Sequence, residues 1–186
     1  MSLTPSNILP LGTPAPEFNL LDTVSGEFKT LHQLKSDVAT VILFICNHCP
    51  YVVHINEKLV ELANKYKVQG VQFIAISSND ITTHPQDGPE QMAEHARQQG
   101  YCFPYLYDET QEVAKAYQAA CTPDLYVFDG ALKCIYHGQF DDSRPNSDTA
   151  VTGKDLAHAL DLALVGQHIP QREQHPSRGC NIKWKS

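Results

Sequence analysis

No segment of this 186-residue chain approaches the ~20 consecutive apolar residues that cross a bilayer. The opening "MSLTPSNILPLGTPAPEF" has no basic stretch leading into an apolar run, so no secretory signal is read there and a cytoplasmic location is expected. Cationic residues are few. With 14 Lys and Arg against 21 Asp and Glu, the net charge is 14 − 21 = −7, and no dense basic run occurs. Nucleic acids and anionic membranes recruit clustered cations, so neither is expected as a partner. Internal repeats and low-complexity tracts are absent, as is any polar break that would divide a core. At 42% hydrophobic and 19% charged residues, the chain suits one domain with a single core. We divide it into an N-terminal arm (1–10), a domain (11–166) and a polar, irregular tail (167–186).

What is present alternates. "DVATVILFIC" (37–46) and "VQFIAIS" (71–77) are near-continuous apolar runs, the pattern of strands buried on both faces. Between them, after Pro50, the residues Val52, Ile55, Leu59, Leu62, Ala63 and Tyr66 recur at helical spacing until Gly70 stops the run. Residues 4–30 read as an extended arm or hairpin around Gly26. A Pro and a Gly bracket a helix over 88–100. "FPYLYD" reads as a short strand and "ETQEVAKAYQAA" as a helix. "DLYVFD" and "LKCIYHG" flank Gly130 as a hairpin, and 153–166 is an amphipathic helix. The order β-α-β-α-β-α-β-β-α predicts an α/β fold, with a central mixed sheet flanked by helices and preceded by an N-terminal extension.

Cysteine is the informative residue. Of the six, Cys46 and Cys49 form a C-x-x-C where a strand hands over to a helix. Unpaired N–H groups and the helix dipole at such a junction favour an anion, so a thiolate there should ionise below its usual ~8.5. Cys46, ahead of the helix, is expected to be exposed and to attack. Cys49, inside the first turn, should resolve the mixed disulfide. His48 between them would add a cation that steadies the thiolate. The pair carries its own electrons, so no cofactor and no metal is expected. Cys180, in the tail, is a candidate third redox thiol or a packed cysteine. Cys121 reads as packed near the site, and Cys102 and Cys134 as strand core.

Taken together, "LGTPAPEFNLLDTVSGEFKTL", "FICNHCP", "TPDLYVFD" and the order of elements resemble the thioredoxin superfamily over residues 10–166. The closer likeness is to its redoxin branch, which holds the alkyl hydroperoxide reductase/thiol-specific antioxidant proteins and the TlpA/ResA-like oxidoreductases. The resemblance implies a thioredoxin-like fold and disulfide exchange with protein or low-molecular-weight thiol partners. It also implies that Pro123 is a cis-proline beside the thiols. Thr122 and Pro123 would then form the partner-docking edge, with Asn47 and Pro50 as further contact residues. Two departures stand out. Thr40 lies where thioredoxins bury an acid, and Val52 lies where TlpA/ResA relatives often place a Glu.

Two other readings stay open. A thiol peroxidase acting through Cys49 on hydroperoxide would use P-x-x-x-T-x-x-C; here Ile42 and Cys46 stand at its Pro and Thr positions. A metal-binding reading would add His54 or Cys180 to the pair, but no second ligand motif supports it. Asp141-Asp142, in a Ser/Asn/Pro-rich stretch, predicts a flexible surface loop, and Trp184 is expected to pack the tail onto the domain.

Overall fold

A computed structural model of the protein describes residues 3–186; residues 1 and 2 of the expected arm lie outside the described residues. Along the chain come β1 (Leu3–Pro5), β2 (Asn19–Asp22), β3 (Phe28–Thr30), α1 (Leu31–Leu34), β4 (Ala39–Phe44), α2 (Pro50–Lys67) and β5 (Val71–Ser77). There follow α3 (Pro89–Gln99), β6 (Tyr105–Tyr107), α4 (Glu112–Ala116), β7 (Cys121–Thr122), β8 (Asp124–Asp129), β9 (Cys134–Gly138), α5 (Lys154–Leu164) and β10 (Arg178–Asn181). Seven strands form a mixed sheet in the order β3-β2-β6-β5-β4-β8-β9. The pairs β4–β5 and β5–β6 are parallel, whereas β4–β8 and β8–β9 are antiparallel. This is the thioredoxin-like α/β architecture.

All six residues of β4 are buried, because the central strand is covered on both faces. Its period of two sorts them. Val41, Leu43 and Ile45 point into the core beneath α2, α3 and α5, while Ile42 and Phe44 point into a second core with Leu9, Tyr117, Tyr126 and Phe128. Each such side chain contributes roughly 1.5–3 kcal/mol by leaving water. Helix α2 starts at Pro50, whose missing N–H costs nothing in the first turn, and it buries the periodic residues singled out above.

A buried ionic knot pins the arm. Asp124 is fully buried at the start of β8, and accepts from the Ser6 hydroxyl (2.8 and 2.7 Å) and from His137 Nε2 (2.8 Å). Leu9 N–H donates to His137 Nδ1 (3.0 Å), so the ring proton sits on Nε2, aimed at the carboxylate.

Several expectations need correction. The tail is not irregular throughout, since residues 178–181 form β10, paired to β1 on one side and β7 on the other. Ile182 is its buried anchor; Trp184 is exposed, with Lys115 Nζ 5.9 Å from its ring centre. The loop after β9 is ordered around Asp141, which is buried and accepts from Thr152 N–H (2.8 Å), Gly153 N–H (2.7 Å) and Ser143 N–H (2.8 Å). Burial alone would raise its pKa, but the Ser143 hydroxyl and these amides hold it below the ordinary carboxylate value. Helix α4 is shorter than its pattern because Gln111 and Gln118 adopt positive φ. That turns Tyr117 into the aromatic cluster, where its hydroxyl bonds Pro16 O at 2.8 Å. Cys102 lies outside any strand and is half-buried, whereas Cys134 is core, as expected.

Candidate functional site

Strand β4 ends at Phe44 and α2 begins at Pro50, so the C-x-x-C occupies the connection rather than the first helical turn. Cys49 is the N-cap of α2 and Cys46 lies three residues further out. The expected exposure of Cys46 is not found: it is 1% exposed and Cys49 0%. Thr122 closes over both. Its hydroxyl lies 3.7 Å from Cys46 Sγ, and its carbonyl accepts from the Cys49 thiol at 3.2 Å. The Thr122–Pro123 bond is cis.

The two thiols are pulled in opposite directions. Cys49 is lowered to about 5, first by the hydrogen bond from the Cys46 thiol, which outweighs burial; the Cys180 thiol, the Thr122 hydroxyl and the Val52 amide of α2 add to it. Cys46 is pushed far up, because it gives that hydrogen bond, is buried and faces the Asp87 charge. The helix terminus therefore acts on the thiol that caps it.

Asp87 was not singled out in the sequence. It ends a 3₁₀ turn (Pro85–Asp87) and is fully buried. Its Oδ1 accepts from Asn47 N–H (2.9 Å), and its Oδ2 from Asn79 Nδ2 (2.9 Å). His48 Nδ1 lies 2.6 Å from Oδ2 but 3.9 Å from Cys46 Sγ, so the imidazole is tied to the carboxylate first. His84 stacks on His48, with ring centres 5.2 Å apart. Cys46, His48 and Asp87 bring three donor atoms within 4.8 Å of one another. His48 and Asp87 already occupy each other's facing atoms, which does not suit them to a cation.

Of the remaining predicted residues, Asn47 is fixed by Tyr105 (3.0 Å to Oδ1) and by Gln86 O (2.8 Å from Nδ2). It borders a shallow groove of about 300 Å³ with Gln86, Glu90, Glu94 and His95. Pro50 is exposed beside the thiols. Thr122, expected to offer a free backbone edge, is already paired: Cys180 of β10 lies opposite it. Cys121 is buried next to it. His54 is remote from the sulfurs and bonds Ser143 Oγ at 3.0 Å. Thr40 accepts from Ser36 N–H (2.9 Å), and takes no part at the thiols. A concavity of about 540 Å³ lies between β2 and α4, lined by Phe18, Leu20, Phe28, Tyr107 and Val113 among others, and no cysteine or histidine lines it. No helix among the described residues is long and apolar enough to cross a membrane.

Comparison with solved structures finds near-complete matches. A crystal structure of an uncharacterized conserved protein from Geobacillus kaustophilus shares 56% identity at a TM-score of 0.96, over 100% of this chain and 97% of that one. A hypothetical protein from Sinorhizobium meliloti 1021 shares 45% identity at 0.95, over 98% and 99%. The thioredoxin domain of a thiol-disulfide oxidoreductase from Bacteroides vulgatus matches at 16% identity and 0.62, over 81% and 98%, a likeness of fold. Comparison with curated proteins returns no match. The AhpC/TSA family model matches residues 11–137, which cover the arm motif, both thiols and the Thr-Pro turn, and the chain belongs to the AhpC/TSA family.

Proposed function

We propose that the protein is a thiol-disulfide oxidoreductase in which Cys46 and Cys49 cycle between dithiol and disulfide. The observation that carries this reading is the convergence of both sulfurs on Thr122, in hydrogen-bonding reach of one another. Cys46 is the sulfur that meets the partner, because its neighbours Asn47 and His48 reach the surface, while Cys49 is walled in by Val52, Thr122 and Cys180. To attack, Cys46 passes its proton to Cys49 or to the His48–Asp87 pair. Its sulfur then displaces one half of the partner's disulfide. The partner's departing thiolate takes up that proton, and Cys49, as the thiolate, attacks Cys46 Sγ, expels the partner's second sulfur and completes the Cys46–Cys49 bond. Asn47 and Pro50 would border the docked partner, a protein or small thiol of the cytoplasm. The cysteine pair supplies the electrons, so no cofactor enters.

Single-turnover exchange with oxidised glutathione tests the roles. Cys49→Ser should accumulate a stable glutathione adduct on Cys46, whereas Cys46→Ser should lose exchange with external disulfide. Adduct formation on Cys49 in preference to Cys46 would refute the assignment. The lowered pKa of Cys49 lends support to the peroxidase alternative, in which Cys49 meets hydroperoxide. Peroxide consumption that survives Cys46→Ser and is lost in Cys49→Ser would establish that reading instead.

A further inference from the structure

Strand β10 occupies an unusual place. It lies antiparallel on β7, with Cys180 opposite Thr122 and Asn181 opposite Cys121. Thr122 is the residue that contacts both exchange sulfurs. Cys46, Cys49 and Cys180 share one buried cluster, and Cys180 is 2% exposed. It sits opposite the residue whose carbonyl meets Cys49 Sγ at 3.2 Å, and the Cys49 and Cys180 thiols each bear on the other's ionisation. The approach depends on Gly179, where an added Cβ would overlap the carbonyl oxygen of Thr122. The far side of β10 is held by β1, with Leu3 opposite Cys180. The strand is thus clamped from two sides in the position a partner's extended chain would take.

We propose that Cys180 is a third exchange thiol, which takes the disulfide over from the Cys46–Cys49 pair and returns Cys46 to the thiol form; this rests on the reading of that pair given above. The step is an internal exchange. Cys180 loses its proton and its sulfur attacks Cys49 Sγ. The Cys49–Cys180 bond forms, the Cys46–Cys49 bond breaks, and its electron pair leaves on Cys46 Sγ, which takes up the proton. No electrons enter or leave the protein, since the disulfide was acquired from the partner. Timing follows from charge. In the reduced protein the Cys180 thiol is pushed up to about 12, by burial first and by the Cys49 thiolate second, while Lys183 opposes both. Once Cys49 is bound to Cys46 its charge is gone, and Cys180 becomes easier to ionise at the moment it is needed. The outcome is a stored disulfide in the interior with Cys46 free beside His48.

Peptide mapping tests this on the full-length protein. Reduced protein is oxidised with oxidised glutathione, quenched in acid with N-ethylmaleimide and digested with trypsin. Cys46 and Cys49 then lie in residues 36–58, Cys180 in 179–183 and Cys121 in 116–133. Wild type should yield a 36–58/179–183 pair with the maleimide label on Cys46, alongside the internal Cys46–Cys49 disulfide. Cys46→Ser, which lacks the thiol that takes the disulfide in, should yield neither the linked pair nor any other internal disulfide. Cys180→Ser should lose the pair entirely and keep Cys46–Cys49. Formation of Cys46–Cys49 with no 36–58/179–183 pair in wild type overturns the proposal and leaves the exchange reading intact. A link made through Cys46, or to 116–133 instead, also overturns it. Absence of the Cys46–Cys49 disulfide itself removes the parent reading.

Discussion

Replacing Asp87 by asparagine (Asp87→Asn) should move the titration of Cys46 downward by a large, measurable amount. The carboxylate is fully buried, and lies within 4.8 Å of the sulfur. At an effective dielectric of about 20, two unit charges at that separation repel by about 3.5 kcal/mol, equivalent to about 2.5 pKa units. The sign is direct: a negative neighbour opposes ionisation of a thiol, so removing it lowers the pKa. The measurement is cleanest in a Cys49→Ser background, where Cys46 titrates without its coupled partner, followed by thiolate absorbance in the near ultraviolet. The introduced side chain would keep an acceptor oxygen for Asn47 N–H. Its amide nitrogen would face the donors of Asn79 and His48, so a stability loss of about 1–3 kcal/mol is also expected. Near-UV circular dichroism checks that the fold survives. A midpoint that rises, or falls by less than about a fifth of that Coulomb figure, would refute the electrostatic account of Cys46. Downward movement would also make the couple more oxidising, because it stabilises the reduced form.

In the reduced wild type, one thiolate absorbance step should be lost as pH falls through about 5, and Cys49→Ser should lack that step. Asp124→Ala removes the acceptor shared by Ser6 and His137 in a buried site, and should cost about 1–3 kcal/mol in urea unfolding. Gly179→Ala should lift β10 from Thr122, seen as faster amide exchange at residues 178–181 and quicker maleimide labelling of Cys180, with the main sheet unchanged. His48→Ala should leave the fold intact but slow exchange by roughly 10²–10⁴-fold if the imidazole relays the Cys46 proton; an unchanged rate excludes that role.

The parts of the molecule legible in the amino-acid order are those whose signal is local. α2 announces itself by period, and β4, β5 and the hairpin of β8 and β9 sit where their apolar runs place them. The C-x-x-C and Thr-Pro motifs named residues that the structure brings into contact. Its electrostatics were not legible, because they depend on Asp87, 40 residues beyond Asn47 and written into "QDGP", which reads as a turn. β10 was equally hidden. "RGCN" has no β-branched residue, and becomes a strand only because β1 and β7 offer it edges. Asp124 looked like an ordinary polar start to a strand until Ser6 and His137 arrived from 118 and 13 residues away.

The pairing of residues 178–181 with 121–122 also sets the order in which the centre is completed during synthesis. A chain emerging from the ribosome contains both sulfurs of the C-x-x-C, and the strands beneath them, long before the segment that roofs them over. Until then the unpaired edge of β7 lies open to any extended polypeptide nearby. In the finished molecule that edge is filled by the chain's own β10.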